Sequence, residues 1–364
     1  MTSPSQPAGG AADGLDPVTR ADVEEIRIRA GAALSRLAGQ RVLITGGEGF
    51  LPSYLVDALL AANDNGLSPP CDVVCVDNRA TSDPSRLTHR DGREDFALLL
   101  HDATQPLELA GPVDVVVHAA SIASPTWYRE RPLETIDVNV TGTRRMLDLA
   151  RDKGASRFVL FSSSEIYGDP PPDRVPTTED YWGNVSCTGP RACYDESKRL
   201  GETLATTYHR LYGLPVTILR PFNVYGPRLR LDDKRVVPDF IRDALEGRQI
   251  TVHSDGRVTR SFCYVTDAVA ALLELLVHDV ACEAYNVGNE EEISIGELAA
   301  LVDEVSGNGL GVRYEASGDP AYLTDNPSRR SPDLTKLRTA IDWEPRVSLR
   351  EGIARTLASH RGVA

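Results

Sequence analysis

The chain lacks the marks of several protein classes. Its 364 residues carry 39 Lys and Arg against 53 Asp and Glu, a formal net charge of -14 at pH 7. That balance argues against a nucleic-acid partner and against a basic membrane-binding surface. No apolar run reaches the length of a membrane-spanning helix, and no signal peptide is recognised. The six cysteines, Cys71, Cys75, Cys187, Cys193, Cys263 and Cys282, have no zinc-ligand spacing, and the seven histidines are scattered. No metal is expected, and reduced thiols in a soluble cytoplasmic protein are. Cys187 and Cys193, which flank the tyrosine motif described below, read as packing or loop residues.

What is present points to an α/β protein. The apolar run Arg41 to Thr45 is followed at once by Gly46-Gly-Glu-Gly49-Phe-Leu-Pro52 and a helical segment from Tyr54 to Ala62. Strand, glycine turn and helix are the context that a dinucleotide fingerprint requires. Gly46 permits the tight turn, and Gly49 lets backbone approach a pyrophosphate on the helix N-terminus. A second strand, Val73 to Val76, ends in Asp77. A carboxylate there accepts the ribose 2′-OH and repels a 2′-phosphate, favouring NAD over NADP, although Arg79 nearby weakens that preference. Asp102, after the strand Ala97 to Leu100, is placed to reach the adenine amine. Further strands are expected at 113–118, 157–162 and 216–220, separated by helices at 134–153 and 196–211. Such alternation implies a Rossmann-type doubly wound parallel sheet, whose ligands bind at the carboxyl ends of its strands. Ser163 and His118-Ala-Ala-Ser121 both fall at such ends.

Tyr194 and Lys198 are one helical turn apart and share a face. Ionising a phenol of pKa ~10 at pH 7 costs ~4 kcal/mol. A cation at ~4 Å in an effective dielectric of ~20 returns about that much. On this reading Lys198 makes Tyr194 a usable base near neutral pH.

Together, the glycine turn, Phe161-Ser-Ser-Ser-Glu-Ile-Tyr-Gly168, Tyr194-x-x-x-Lys198, Arg220-Pro-Phe-Asn-Val-Tyr-Gly-Pro-Arg228 and Thr259-Arg-Ser-Phe-Cys-Tyr-Val-Thr-Asp267 resemble the extended short-chain dehydrogenase/reductase family over residues 40 to 358. Within it, residues 179–196, Asp233-Lys-Arg-Val-Val237 and Arg329-Arg-Ser-Pro-Asp333 look like the UDP-glucuronate decarboxylases. The resemblance implies a hydride-transfer triad of Ser163, Tyr194 and Lys198, with Glu165 and Arg330 near the sugar carboxylate. It implies NAD contacts from Gly46, Gly49, Phe50, Leu51, Asp77, Asn78, Asp102, Ala103, Ala119, Ala120, Ser121, Tyr194, Lys198 and Pro221. Asn223 and Arg260 fall on positions that contact the nucleotide diphosphate. Ser124, Trp127, Tyr128, Arg191, Arg228, Val236 and His253 complete the expected nucleotide-sugar contacts. Related 4,6-dehydratases place Asp-Glu after the catalytic Ser or Thr. Here the pair is Ser164-Glu165, so the acid that would protonate a leaving hydroxyl is missing. A 4-epimerase, and an NAD-binding regulator without turnover, stay open as alternatives.

The expected division is a disordered tail over 1–14, a helical extension over 15–38, and an NAD-binding domain of 39–222 plus 263–287. A smaller α/β substrate lobe takes 223–262 plus 288–364. The extension is expected on the sheet edge or on a partner subunit, and a homodimer is expected through the helices at 134–153 and 196–211. Pro52 stands where a third glycine normally allows close helix–strand packing, so that helix is expected to sit differently. Glu48 places a carboxylate beside the expected pyrophosphate, unless it turns away. Between Arg228 and Arg260, eight Lys and Arg face six Asp and Glu, a local excess of +2 suited to a diphosphate.

Overall fold

The computed structural model describes residues 14–318 and 324–362. The expected tail, residues 1–13 of it, lies outside the described residues. Two helices, α1 (Pro17–Arg29) and α2 (Gly31–Ser35), precede the sheet. The sheet opens with β1 (Arg41–Thr45), α3 (Phe50–Asp64), β2 (Asp72–Asp77), β3 (Phe96–Leu100) and β4 (Val115–His118). It continues through α4 (Pro125–Glu130), α5 (Pro132–Asp137), α6 (Thr143–Lys153), β5 (Arg157–Phe161), α7 (Ala192–Tyr212) and β6 (Val216–Pro221). After β7 (Val224–Tyr225), α8 (Val236–Leu245), β8 (Ile250–Val252), β9 (Thr259–Ser261) and β10 (Cys263–Tyr264), the chain returns with α9 (Val265–Val277) and β11 (Cys282–Val287). The remainder is β12 (Glu292–Ser294), α10 (Ile295–Ser306), β13 (Val312–Tyr314), β14 (Arg329–Arg330), α11 (Thr335–Ala340) and α12 (Leu349–Gly362).

The large sheet has the order β11-β6-β5-β4-β1-β2-β3, all parallel. Its inner strands are rich in Val, Ile, Leu and Phe because helices cover both faces. In register, Thr45 lies opposite both Val76 and His118, so the turns after β1, β2 and β4 emerge at one edge. The sequence places this cleft correctly because its strands end where the apolar runs end. Three small strands, β12-β9-β14, form a second sheet, which brings Arg260 opposite Arg330. Among the described residues, no helix is long and apolar enough to cross a membrane.

Three expectations change. The helix expected over 134–153 is interrupted by a π turn at Val138–Gly142, between α5 and α6. There Asn139 donates to Ser197 Oγ on α7 at 2.9 Å and accepts from Ser121 Oγ at 2.8 Å. Pro52 does not disturb α3, which runs unbroken from Phe50 to Asp64, because a first-turn residue needs no intrahelical N–H bond. The N-terminal extension packs on helices of its own chain and not on the sheet edge. It breaks at Ala30, and α1 packs on α3, α9 and α12. Asp16 caps α1 by accepting from Val18 and Thr19 N–H, with Pro17 in the first turn. Its buried Asp22 accepts from Tyr264 Oη at 2.7 Å and from Arg355 at 3.1 Å, which ties α1 to α12.

Candidate functional site

The turn after β1 leaves a cleft of about 320 Å³ at the carboxyl edge of the sheet. Gly46 adopts φ +69°, and a Cβ there would come within 2.9 Å of the Ala120 backbone. A Cβ on Gly49, the N-cap of α3, would come within 2.8 Å of the Gly46 carbonyl. Only glycine fits either place, and the backbone thereby opens to the cleft. Phe50, Leu51 and Pro52, the first turn of α3, line it. So do Asp77, Asn78, Asp102, Ala103, Ala119, Ala120 and Ser121. Pro221 sits apart, in a small apolar hollow with Leu51 and Phe161. Asp77 accepts from Glu48 N at 3.0 Å and from Arg79 N and Ser82 Oγ at 2.8 Å. A glycine cradle, a helix N-terminus and a buried carboxylate suit a dinucleotide with an unphosphorylated ribose.

Ser163 leaves β5 and caps a short 3-10 turn, accepting from Glu165 N at 3.1 Å. Its hydroxyl lies close enough to Tyr194 of α7 to favour the phenolate. Lys198 donates from Nζ to the Phe161 carbonyl at 2.7 Å, and Phe161 lines the cofactor cleft. The three side chains therefore lie together, but their electrostatics differ from the expectation. Burial, together with Glu165 and Asp195, pushes Tyr194 up to about 12, although the Ser163 hydroxyl opposes it. Burial pushes Lys198 down to about 7. Its Nζ lies 5.7 Å from the Tyr194 ring centre, aimed at a carbonyl. In this structure Lys198 alone does not lower the tyrosine, which corrects the expectation. Tyr128 stacks on Tyr194 with ring centres 5.1 Å apart.

A second cavity, of about 480 Å³, is linked to the triad through Glu165, whose N–H bonds Ser163, and Tyr128, which stacks on Tyr194. Tyr128, Glu165, Arg191, Asn223, Val236, His253, Arg260 and Arg330 line it. Arg330 grips Glu165 with both terminal nitrogens, at 2.5 and 2.7 Å, and Arg191 makes a further ion pair with the same carboxylate. Burial raises the Glu165 pKa, but the two arginines outweigh it and hold the acid ionised, below the usual carboxylate range. Two guanidiniums around one carboxylate leave a local charge of +1. Arg260 bonds the Thr259 carbonyl and Asn326 Oδ1, and burial with the nearby Arg330 pushes it down to about 9. Asn223, at φ +30°, holds the Ser261 carbonyl at 2.9 Å.

Three expected sugar contacts lie elsewhere. Ser124 and Trp127 line the cofactor cleft, whereas Tyr128 lines the second cavity, because successive residues of a helical turn diverge. Arg228 turns to the buried Asp57 at 2.5 Å and stacks over Tyr54, outside both cavities. Two residues were overlooked in the sequence. Arg235 lines both cavities, and the Asp-Lys-Arg-Val-Val segment carried that signal. Asp195 is buried beside Arg191, its pKa raised by burial and by the Glu165 charge. Its place within the tyrosine motif was the only hint.

A glycine-turn cleft joined to a Ser-Tyr-Lys centre defines a nicotinamide-dependent enzyme of the short-chain type. The chain belongs to the NAD dependent epimerase/dehydratase family, whose model matches residues 42–288, and NAD is its cofactor. It is 42% identical over 335 residues to UDP-glucuronic acid decarboxylase 1 of Arabidopsis thaliana, covering 92% of this chain and 72% of that one. UDP-glucuronic acid decarboxylase 6 of the same plant is 43% identical over 316 residues, covering 87% of each chain. Among solved structures, the dTDP-glucose 4,6-dehydratase DesIV of Streptomyces venezuelae, with NAD bound, superposes with a TM-score of 0.78 at 27% identity. That match covers 88% of this chain and 97% of DesIV.

Proposed function

We propose that this protein is an NAD-dependent UDP-glucuronate decarboxylase that forms UDP-xylose or its 4-keto precursor. The observation that carries the reading is Glu165 clasped by Arg191 and Arg330 in the cavity beside Ser163 and Tyr194. The identity to named decarboxylases supports it. Bound NAD supplies the acceptor for the C4 hydride, its later return, and a positive ring that stabilises the Tyr194 phenolate. Tyr194 takes the O4 proton while Ser163 holds O4. The sugar is then a β-keto acid, and breaking C5–C6 releases CO₂ and leaves the electron pair on an O4 enolate. Ser163 and the Tyr194 hydroxyl donate hydrogen bonds to that oxygen. The net +1 around Glu165 receives the sugar carboxylate, and ionised Glu165 orders the water that protonates C5. Tyr194 returns the proton to O4 on re-reduction.

Arg260, Asn223 and Arg235 bind the diphosphate in this reading, and His253 and Val236 sit nearer the base. The cofactor domain is 39–222 plus 263–287, and the substrate lobe is 223–262 plus 288–364. The enzyme works in the cytoplasm as a homodimer, supported by exposed Leu133 and Ile136 on α5 and Leu200, Leu211 and Tyr212 on α7. Incubation with UDP-glucuronate, followed by NMR and CO₂ detection, tests the activity. Release of CO₂ with a pentose or 4-keto product supports it. Inversion at C4 without CO₂ makes the protein an epimerase instead. Turnover of only another nucleotide sugar overturns the substrate.

A further inference from the structure

We infer that Glu48 determines cofactor specificity by holding Arg79 away from the ribose site. The two residues are the fingerprint's extra carboxylate and the arginine two positions after Asp77. Glu48 is fully buried, and its backbone N–H donates to Asp77 Oδ2 at 3.0 Å. Arg79 donates its own N–H to Asp77 Oδ1 at 2.8 Å, and its side chain then turns back to Glu48. Nε and one terminal nitrogen meet the two Glu48 oxygens at 2.7 and 2.9 Å, a two-point fork. Arg79 adopts φ +57°, a conformation costly for a residue with a Cβ, and the fork is what the strain obtains.

The consequence shows in the cleft wall. Asp77, Asn78, Ala80, Thr81 and Ser82 line the dinucleotide cleft, whereas Arg79 does not. A free arginine at this position would stand beside the carboxylate that reads the ribose 2′ position. It would offer a 2′-phosphate the bidentate donor that such groups bind best. Glu48 occupies that donor, so Asp77 alone addresses the 2′ position and excludes a phosphate. The acid thus does not weaken NAD binding through the pyrophosphate, since it is turned out of the cleft. Glu48 and Arg79 act as positioning residues, and neither touches the reacting atoms.

The test is a competition on the whole protein, read without turnover. Wild type and variants are equilibrated with equal NAD⁺ and NADP⁺, desalted and denatured, and the released nucleotides are quantified by chromatography. Glu48→Ala is expected to raise the NADP-to-NAD ratio by about tenfold, the worth of about 1.4 kcal/mol. Glu48→Gln, which keeps the size and loses the charge, must move the ratio the same way. Adding Arg79→Ala to either variant must return the ratio to the wild-type value. A change below about threefold in both single variants, or a gain that survives loss of Arg79, overturns the inference.

Discussion

Glu165 is the residue on which the chemistry turns. Its carboxylate is half-buried and matched by two guanidiniums, so it stays ionised through the neutral range. Glu165→Gln should therefore lower the rate of CO₂ release on the order of 10²-fold at every pH between about 5 and 8. A variant that keeps full decarboxylation removes Glu165 from the mechanism. Tyr194→Phe loses the proton acceptor and should reduce turnover by about 10³-fold. The variant's NAD content after purification should match wild type, because the glycine cradle is untouched. Loss of NAD along with activity would place the tyrosine's contribution in binding instead. The tyrosine's position was legible from a four-residue spacing. Its protonation was not, because burial and the Glu165 charge are brought to it by residues distant in the chain, and only Asp195 is a sequence neighbour.

At the scale of elements, α1 changes most between sequence and structure. Its apolar spacing identified a helix, but its three neighbours could not be read from local pattern. Arg29 reaches Asp267 of α9, and Asp22 and Glu25 reach Arg355 of α12. Burial raises Asp22 from 3.8 to about 7, against the opposing pull of Tyr264 and Arg355. An acid raised on folding binds more protons folded than unfolded between about 4 and 7, so its contribution falls as pH rises through that window. Asp22→Asn should gain stability relative to wild type, on the order of 1–2 kcal/mol, as pH goes from about 4 to about 7. Denaturant titrations at several pH values measure it, and a pH-independent difference would refute it. The π turn at 138–142 is another feature invisible to periodicity. One extra residue in the turn rotates Asn139 so that it bridges Ser121 and Ser197.

Among the described residues, the adjacent helices α5 and α7 carry several exposed apolar side chains. Leu133 is 74% exposed, Leu211 67% and Tyr212 52%, on adjacent helices α5 and α7. Large side chains gathered on one face mark an interaction surface. Leu200→Arg, placed on that face and away from both cavities, should convert a dimer to a monomer in sedimentation or light-scattering measurements. An unchanged mass would locate the interface elsewhere. The overall charge of -14 coexists with a cavity where Arg191, Arg235, Arg260, Arg330 and Lys234 outnumber Glu165 and Asp239. Local potential, not total charge, recruits an anionic substrate.

The sequence by itself determined the strands, the glycine turn, the Tyr194–Lys198 pairing and the family, because each depends on motifs of residues close together in the chain. Apolar runs covered by helices mark a strand wherever they occur, and one helical turn pairs Tyr194 with Lys198. Tertiary structure decided which charges face one another. It turned Arg228 toward Asp57, closed Glu48 on Arg79 across 31 positions, and brought Arg330 to Glu165 across 165. Electrostatic energy depends on distance and on exclusion of water, and neither is fixed until the sheet and the small strands have come together.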